Sequence, residues 1–317
     1  MTSTRRQRFD RNALVAAVLL LALLPLAFGG SSYYMRLITL MLIYAIYTVA
    51  FNIVFGYTRQ LFLCIGALAG LSAYVSVILT HHLGWPPWLT APLGIAAASL
   101  TGALFSYVAV RRGLGIIFVG IVTLVFSMIF QNLLFGLREL TNGETGLETR
   151  GLAPAFLAEA LPSYYFILAV LALALLLQYL LLRSRTGQAF RAISDDDFAA
   201  ELAGIDVVRY KVLAATIGSC LLGIAGVVFA YQSGFISPAV YSFVSVDIVV
   251  LVSLLLGGMG TLLGPVLGAV LFTILDEVVR PFGHLNVLLY GIFIVVLVIT
   301  FRHGIAALLD RLFRLRG

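Results

Sequence analysis

Ten apolar runs of about 15 to 23 residues, separated by mostly short polar connections, dictate most of what this chain can fold into. They fall at about 13–28, 34–56, 61–80, 88–110, 114–136, 163–182, 212–233, 244–258, 262–279 and 285–301. A helix needs about 20 apolar residues to cross a hydrocarbon core of roughly 30 Å. In lipid every backbone N–H and C=O must be satisfied within the protein, so runs of this length select helices. Composition agrees: 62% of residues are hydrophobic and 11% charged, against about 45–50% and 25% in soluble domains. The expected fold class is all-α, a polytopic membrane protein of about ten transmembrane helices forming one domain over 1–317.

The basic residues give the orientation. With the N-terminus placed in the cytoplasm, sixteen of the twenty Lys and Arg fall on the cytoplasmic side. Only Arg36, Arg138, Arg150 and Arg280 fall on the other. Such a bias follows the preference of basic loops for the cytoplasmic face, and ten spans then put both termini there. The stretch from Arg5 to Phe28 has the layout of a signal peptide. It runs out in Ala27-Phe28-Gly29-Gly30 without a small-x-small cleavage site, which predicts an uncleaved first helix.

Several chemistries lack their parts. There is no GxxxxGK[ST] loop to cradle phosphates; Lys211 is the one lysine and stands between Tyr210 and Val212. Motifs of the GxSxG, HExxH or CxxC type are absent, so no enzymatic activity is expected. His81, His82, His284 and His303 sit at the ends of apolar runs without carboxylates or cysteines at ligand spacing, so no metal site is expected. Cys64 and Cys220 lie inside apolar runs and define no disulfide framework. The arginines are spread between spans rather than gathered on one face, which argues against nucleic acid. Ion-driven transporters keep ionisable groups at bilayer depth; here Asp247, Asp276, Glu277 and Arg280 lie near outer ends of spans.

Two connections are long. The outer one, 137–162, carries Arg138, Glu139, Glu144, Glu148, Arg150 and Glu159 with Pro154 and Pro162. The inner one, 183–211, is the most charged part of the molecule. Within it, 185–194 and 195–204 each predict a short helix, with Asp195, Asp196 and Asp197 where anions favour a helix start. Gly204 is the expected C-terminal cap, followed by an extended 205–208. Phe198, Glu201 and Leu202 share one helical face. The apolar Phe190, Phe198 and Leu202 need something to bury them, although a solvated connector is the plainer reading of such a loop.

Glycines mark another special region. Gly260, Gly264 and Gly268 form overlapping GxxxG units that let helix backbones approach closely. Pro265 removes a backbone donor at bilayer depth, tolerable only beside protein or a watery cavity. The run 244–258 reaches only about 22 Å at 1.5 Å per residue. Together these predict a short or broken helix pair near 244–279 lining a path, with ordinary tight packing as the alternative.

The segment from Gly187 to Lys211 is similar to G-x-A-x-x-A-I-R-x-[DN]-[DE]-x-A-A-x-x-x-G-I-x-x-x-x-x-K, with Gly187, Ala189, Ala192, Ile193, Asp195, Asp196, Ala199, Ala200, Gly204, Ile205 and Lys211 in register. The run from Leu255 to Ala269, containing Gly257, Gly258 and Gly260 ahead of Gly264, Pro265 and Gly268, resembles L-G-G-x-G-x-x-x-G-P-x-x-G-A. Leu140 to Leu147 resembles L-T-G-G-x-x-G-L. These are motifs of the permease subunits, M-type for the third, of the branched-chain amino acid ABC importer family. A fourth motif, G-x-x-G-Q-x-S-L-G-[HQ]-x-A, is only partly kept over Gly56–Ala67: Gln60, Leu61 and Leu63 stand, while Arg59, Phe62, Cys64 and Ile65 replace a glycine, a serine, a glycine and a polar residue.

The resemblance implies one half of a transmembrane pathway in a bacterial inner (plasma) membrane. It implies a second permease subunit, two cytoplasmic ATPase subunits that bind the ATP, and an extracytoplasmic solute-binding protein. The permease itself would need no cofactor. Its substrate would be a branched-chain amino acid or a related small solute, urea and amides included. The loop 183–211 would dock the ATPases through Asp195, Asp196, Asp197, Phe198, Glu201, Leu202 and Gly204. Polar residues within spans, Asn52, Tyr57, Gln60, Gln131, Asn132 and Asp247, are candidates to line the path or to bond helices together. A secondary transporter or channel working alone, and a non-transporting scaffold, are the competing classes; low intramembrane charge and the glycine-proline break respectively speak against them.

Overall fold

The computed structural model describes residues 2–28, 30–149, 152, 155–279 and 291. The first half contains α1 (Thr2–Phe28), α2 (Ser32–Phe51), α3 (Ile65–Leu83), α4 (Pro87–Arg111), α5 (Ile116–Gly136) and α6 (Arg138–Thr141). Then come α7 (Ala155–Ala158), α8 (Ala160–Arg183), α9 (Arg185–Asp195), α10 (Asp197–Leu202), α11 (Val207–Ser233), α12 (Ile248–Gly257) and α13 (Gly264–Val279). Two-residue strands β1 (Leu147–Glu148) and β2 (Phe235–Ile236) pair antiparallel and pin the outer connection to the end of α11.

Among the described residues, six helical segments are long and apolar enough to cross a membrane: Ser32–Gly56, Ile65–Leu83, Pro87–Arg111, Ile116–Gly136, Ala160–Arg183 and Val207–Ser233. The chain is thus a multi-pass, helical membrane protein. The first, eighth and ninth apolar runs also form helices, with apolar stretches shorter than these six. The tenth run, 285–301, lies outside the described residues except for Gly291.

Burial separates inner helices from outer ones. The apolar windows of α2, α3 and α11 are 83%, 67% and 61% buried, whereas those of α4, α5 and α8 are 28%, 28% and 33%. The latter therefore present wide apolar faces, such as Ile117, Phe118 and Ile129 of α5, to lipid or a neighbouring subunit. Small residues set the centre. A Cβ on Gly226 of α11 would stand 2.2 Å from the Ala69 carbonyl of α3, so only glycine permits that approach.

Four sequence expectations change. The helix expected over 61–80 starts only at Ile65, because 59–64 leaves the helical path. Its freed backbone groups find partners inside the protein: the Leu63 N–H donates to Thr123 Oγ1 at 2.9 Å, and the Ile65 N–H to Asp247. Arg59, standing where the family motif has glycine, takes a left-handed φ of 55°. Gly260 is not part of a helical GxxxG stripe; α13 begins at Gly264, and Gly258 and Gly260 turn the chain with φ of 106° and 70°. Pro265 sits in the first turn of α13, where a missing N–H leaves no intrahelical bond unmade. Residues 207–208 are helical rather than extended, since Asp206 caps α11 by accepting from the Arg209 N–H at 2.9 Å.

Candidate functional site

Three interruptions of helical structure meet in one junction. The first is a π-helical turn, Asn52–Gly56, that ends α2, and the second is the irregular 59–64 stretch that follows the helical Tyr57 and Thr58. The third is the 258–263 break between α12 and α13. A π turn leaves side chains in unusual register, and here it aims Asn52 across the junction. The buried Asn52 amide bonds both backbone polarities of the break. Its Nδ2 donates to the Thr261 carbonyl at 2.9 Å, and its Oδ1 accepts from the Gly260 N–H at 2.9 Å.

The Thr261 carbonyl is a hub. It also accepts from the Tyr57 hydroxyl at 3.2 Å and from Gln178 Nε2 at 3.2 Å, while Gln178 Nε2 reaches the Tyr57 hydroxyl at 2.7 Å. Gln178 and Thr261 escaped the sequence reading. The signal for Gln178 was present: an amide alone in Leu175-Leu176-Leu177-Gln178 has to be paid for by a partner at bilayer depth. The Thr261 hydroxyl accepts from the Gly264 N–H at 3.1 Å and so starts α13.

Close packing fixes the same junction. A Cβ on Gly257 would meet the Gly264 carbonyl oxygen at 1.8 Å, and one on Gly268 the Ser253 carbonyl oxygen at 1.8 Å. The α12–α13 pair is thus a short hairpin of touching backbones. Replacing Asn52 with leucine would leave the Gly260 N–H unpaired and the Thr261 carbonyl short of a donor. A buried orphan group costs about 1–3 kcal/mol. Asn52→Leu should therefore lower thermal stability in detergent by an amount in that range. An unchanged melting temperature would show that the amide carries no such load.

Other candidates lie elsewhere. Asp247 is fully buried and closes a second π turn, Phe243–Asp247; its carboxylate accepts from the Ile65 N–H at 2.5 Å and the Gly66 N–H at 3.3 Å. It is the capping group of α3 rather than a residue at an open span end. Gln60 is buried and saturated, donating to Thr58 Oγ1 and the Lys211 carbonyl at 3.0 Å each and accepting from Ser106 Oγ at 2.6 Å. Gln131 is half-buried on α5. Asn132 is exposed and bonds back to the Met128 carbonyl at 2.8 Å. Neither joins the junction.

The charged connection forms two short helices, α9 over Arg185–Asp195 and α10 over Asp197–Leu202, where 185–194 and 195–204 were expected. Asp196 is the N-cap of α10, accepting from the Phe198 and Ala199 N–H groups at 2.8 and 3.0 Å. Gly204, with φ of 83°, follows the last turn, and the Ile205 N–H returns to the Ala200 carbonyl. Phe198 and Leu202 are 69% and 75% exposed, and Glu201 beside them is exposed too. Asp195 ends α9. Phe190 differs from the expectation: it is 1% exposed, edge-to-face with Tyr210, and thus belongs to the chain's own core. Arg59 reaches this region through Ser194, its Nε donating to Oγ at 3.4 Å.

A family described as the branched-chain amino acid transport system permease component matches residues 33–301. The chain is 29% identical to the high-affinity branched-chain amino acid transport system permease protein LivM of Escherichia coli strain K12, covering 93% of this chain and 76% of the relative. It is also 29% identical to LivM of Salmonella typhimurium, over 84% of this chain and 68% of that one. A fructose import permease protein, FrcC of Rhizobium meliloti, is 26% identical over 76% of this chain and 70% of its own length. No solved structure matches.

Proposed function

We propose that this chain, which belongs to the branched-chain amino acid transport system permease family, forms one transmembrane half of an ATP-binding-cassette importer for branched-chain or related amino acids. The observation that carries the reading is the α9–α10 segment. It is capped at Asp196, closed at Gly204, and bares Phe198 and Leu202 on a chain that has no phosphate loop of its own. A bare aromatic beside a bare leucine on a short, rigid helix suits a groove in another protein.

On this reading two cytoplasmic ATPase subunits bind the ATP and grip α10, and the permease contributes no cofactor and no catalysis. A second permease subunit completes the path. An extracytoplasmic solute-binding protein delivers substrate to the 137–162 side. The whole chain is one permease domain of ten spans in a bacterial inner membrane, with both termini cytoplasmic. Similarity to two LivM proteins favours a branched-chain amino acid; similarity to the fructose permease widens the field to other small polar solutes.

The test is uptake into proteoliposomes carrying this chain with its ATPases, second permease and binding protein. Leucine, isoleucine or valine should enter only with ATP and all components. The purified chain alone should hydrolyse no ATP above background. Turnover by the isolated chain, or uptake by it alone on an ion gradient, would overturn the subunit reading in favour of a self-contained transporter.

A further inference from the structure

The one lysine of the sequence, Lys211, is 8% exposed in the second turn of α11, and its ammonium meets the Asp197 carboxylate of α10. An ammonium withdrawn from water is costly unless paired. The Asp197 side chain stays 52% exposed, yet its carboxylate is engaged by this ammonium, whereas Phe198 and Glu201 on the same helix are bare. The turn between the two helices is tied as well, by the Gly204 N–H to the Glu201 carbonyl at 2.9 Å and by the Asp206 cap of α11. Covalent turn and ion pair together hold α10 to α11 at two points. A rotation of α10 then has to carry the first turns of α11 with it.

Lys211 has a second attachment. Its carbonyl accepts from Gln60 Nε2 at 3.0 Å, and the same nitrogen donates to Thr58 Oγ1 at 3.0 Å. Thr58 Oγ1 in turn donates to the Val54 carbonyl at 2.6 Å, inside the π turn that begins at Asn52. Polar contacts thus run without a gap from Asp197 on the exposed α10 to the turn whose Asn52 holds the Thr261 junction.

We propose that Asp197 and Lys211 are positioning residues that convert movement of α10 into movement of the 59–64 stretch and the helix-break junction. This rests on the reading of α10 as the ATPase docking element. The contacts from the Lys211 carbonyl to Gln60 and Thr58 are buried, and the half-exposed ion pair links α10 to them, so movement of α10 is passed inward while the pair holds.

The experiment uses the full reconstituted complex, with wild type, Lys211→Met, Asp197→Asn and Lys211→Arg compared. Three quantities are read: ATPase subunits retained on the permease, ATP hydrolysed, and amino acid taken up per ATP. Lys211→Met and Asp197→Asn should keep the ATPases and hydrolyse ATP near the wild-type rate. Their uptake per ATP should fall about tenfold, within the usual span of coupling between sites. Lys211→Arg, which keeps the cation, should recover most of it. Should Lys211→Met fail to fold, Asp197→Asn, altered at a half-exposed side chain, carries the comparison alone. Wild-type uptake per ATP in Asp197→Asn, or loss of the ATPases from it, would overturn the proposal, because the pair would then be inert or part of the docking surface. Absence of bound ATPase on the wild-type chain would instead overturn the docking reading on which the proposal stands.

Discussion

Gly268→Leu is expected to abolish uptake while the chain still inserts in the membrane. The cause is local. A Cβ at position 268 would lie 1.8 Å from the Ser253 carbonyl oxygen and 2.9 Å from the Gly257 backbone nitrogen, and backbone atoms cannot swing aside as a side-chain tip can. Helices α12 and α13 would have to separate, taking the 258–263 break away from Asn52, Tyr57 and Gln178. Overpacking a close contact costs about 1–3 kcal/mol, occasionally more. Insertion is decided by the apolar runs, which the substitution leaves apolar. Gly264→Leu should behave similarly, since its Cβ would meet the Gly257 carbonyl oxygen at 2.7 Å. Gly115→Ala, at a glycine with nothing within 4 Å, is the matched control and should transport as wild type. Normal uptake by Gly268→Leu, measured beside resistance to alkaline extraction, would show that the tight hairpin is dispensable.

Phe198→Ala is expected to have the other large effect, on assembly rather than on the path. Phe198 is 69% exposed and Leu202 75%. Apolar area so placed on a capped two-turn helix gains most when another protein covers it. Truncating an aromatic anchor of this kind costs about 2 kcal/mol, roughly a 30-fold rise in Kd. Glu201→Arg, on the same face, should weaken the same association by reversing charge. Pull-down of ATPase subunits in detergent reads both, with delivery by the binding protein unchanged. Phe190→Ala separates docking from folding: the ring is buried against Tyr210, so its loss should lower stability rather than select against the ATPase. Equal retention of the ATPases by Phe198→Ala and wild type would remove α10 from the interface.

Much of this was legible in the sequence where one physical term dominates. Apolar length alone placed α2, α4, α5, α8 and α11, because lipid leaves backbone no choice but helix. The start of α10 was legible to within two residues, since Asp196 offers its carboxylate to free N–H groups in any context. Residues governed by distant partners were not. Nothing near Leu61 in sequence says that α3 waits until Ile65; the reason is Asp247, brought there from 181 or 182 positions away. Likewise Phe190 and Phe198 look alike in sequence, yet one packs on Tyr210 and the other stands bare. The GxxxG pattern promised close approach and delivered it at Gly264 and Gly268, whereas Gly260 serves the turn instead.

The most direct test is site-specific cross-linking of the assembled complex. Cys64 and Cys220 would first be replaced by alanine. Single cysteines would then be placed in turn along 195–204 and, as the opposite-face comparison, at exposed positions of 137–148. The account predicts cross-links from exposed positions of 195–204, Phe198 and Leu202 foremost, to an ATPase subunit, and from 137–148 to the solute-binding protein only. Cross-links to the ATPase from 137–148 and none from 195–204 would contradict both the docking role of α10 and the orientation of the chain.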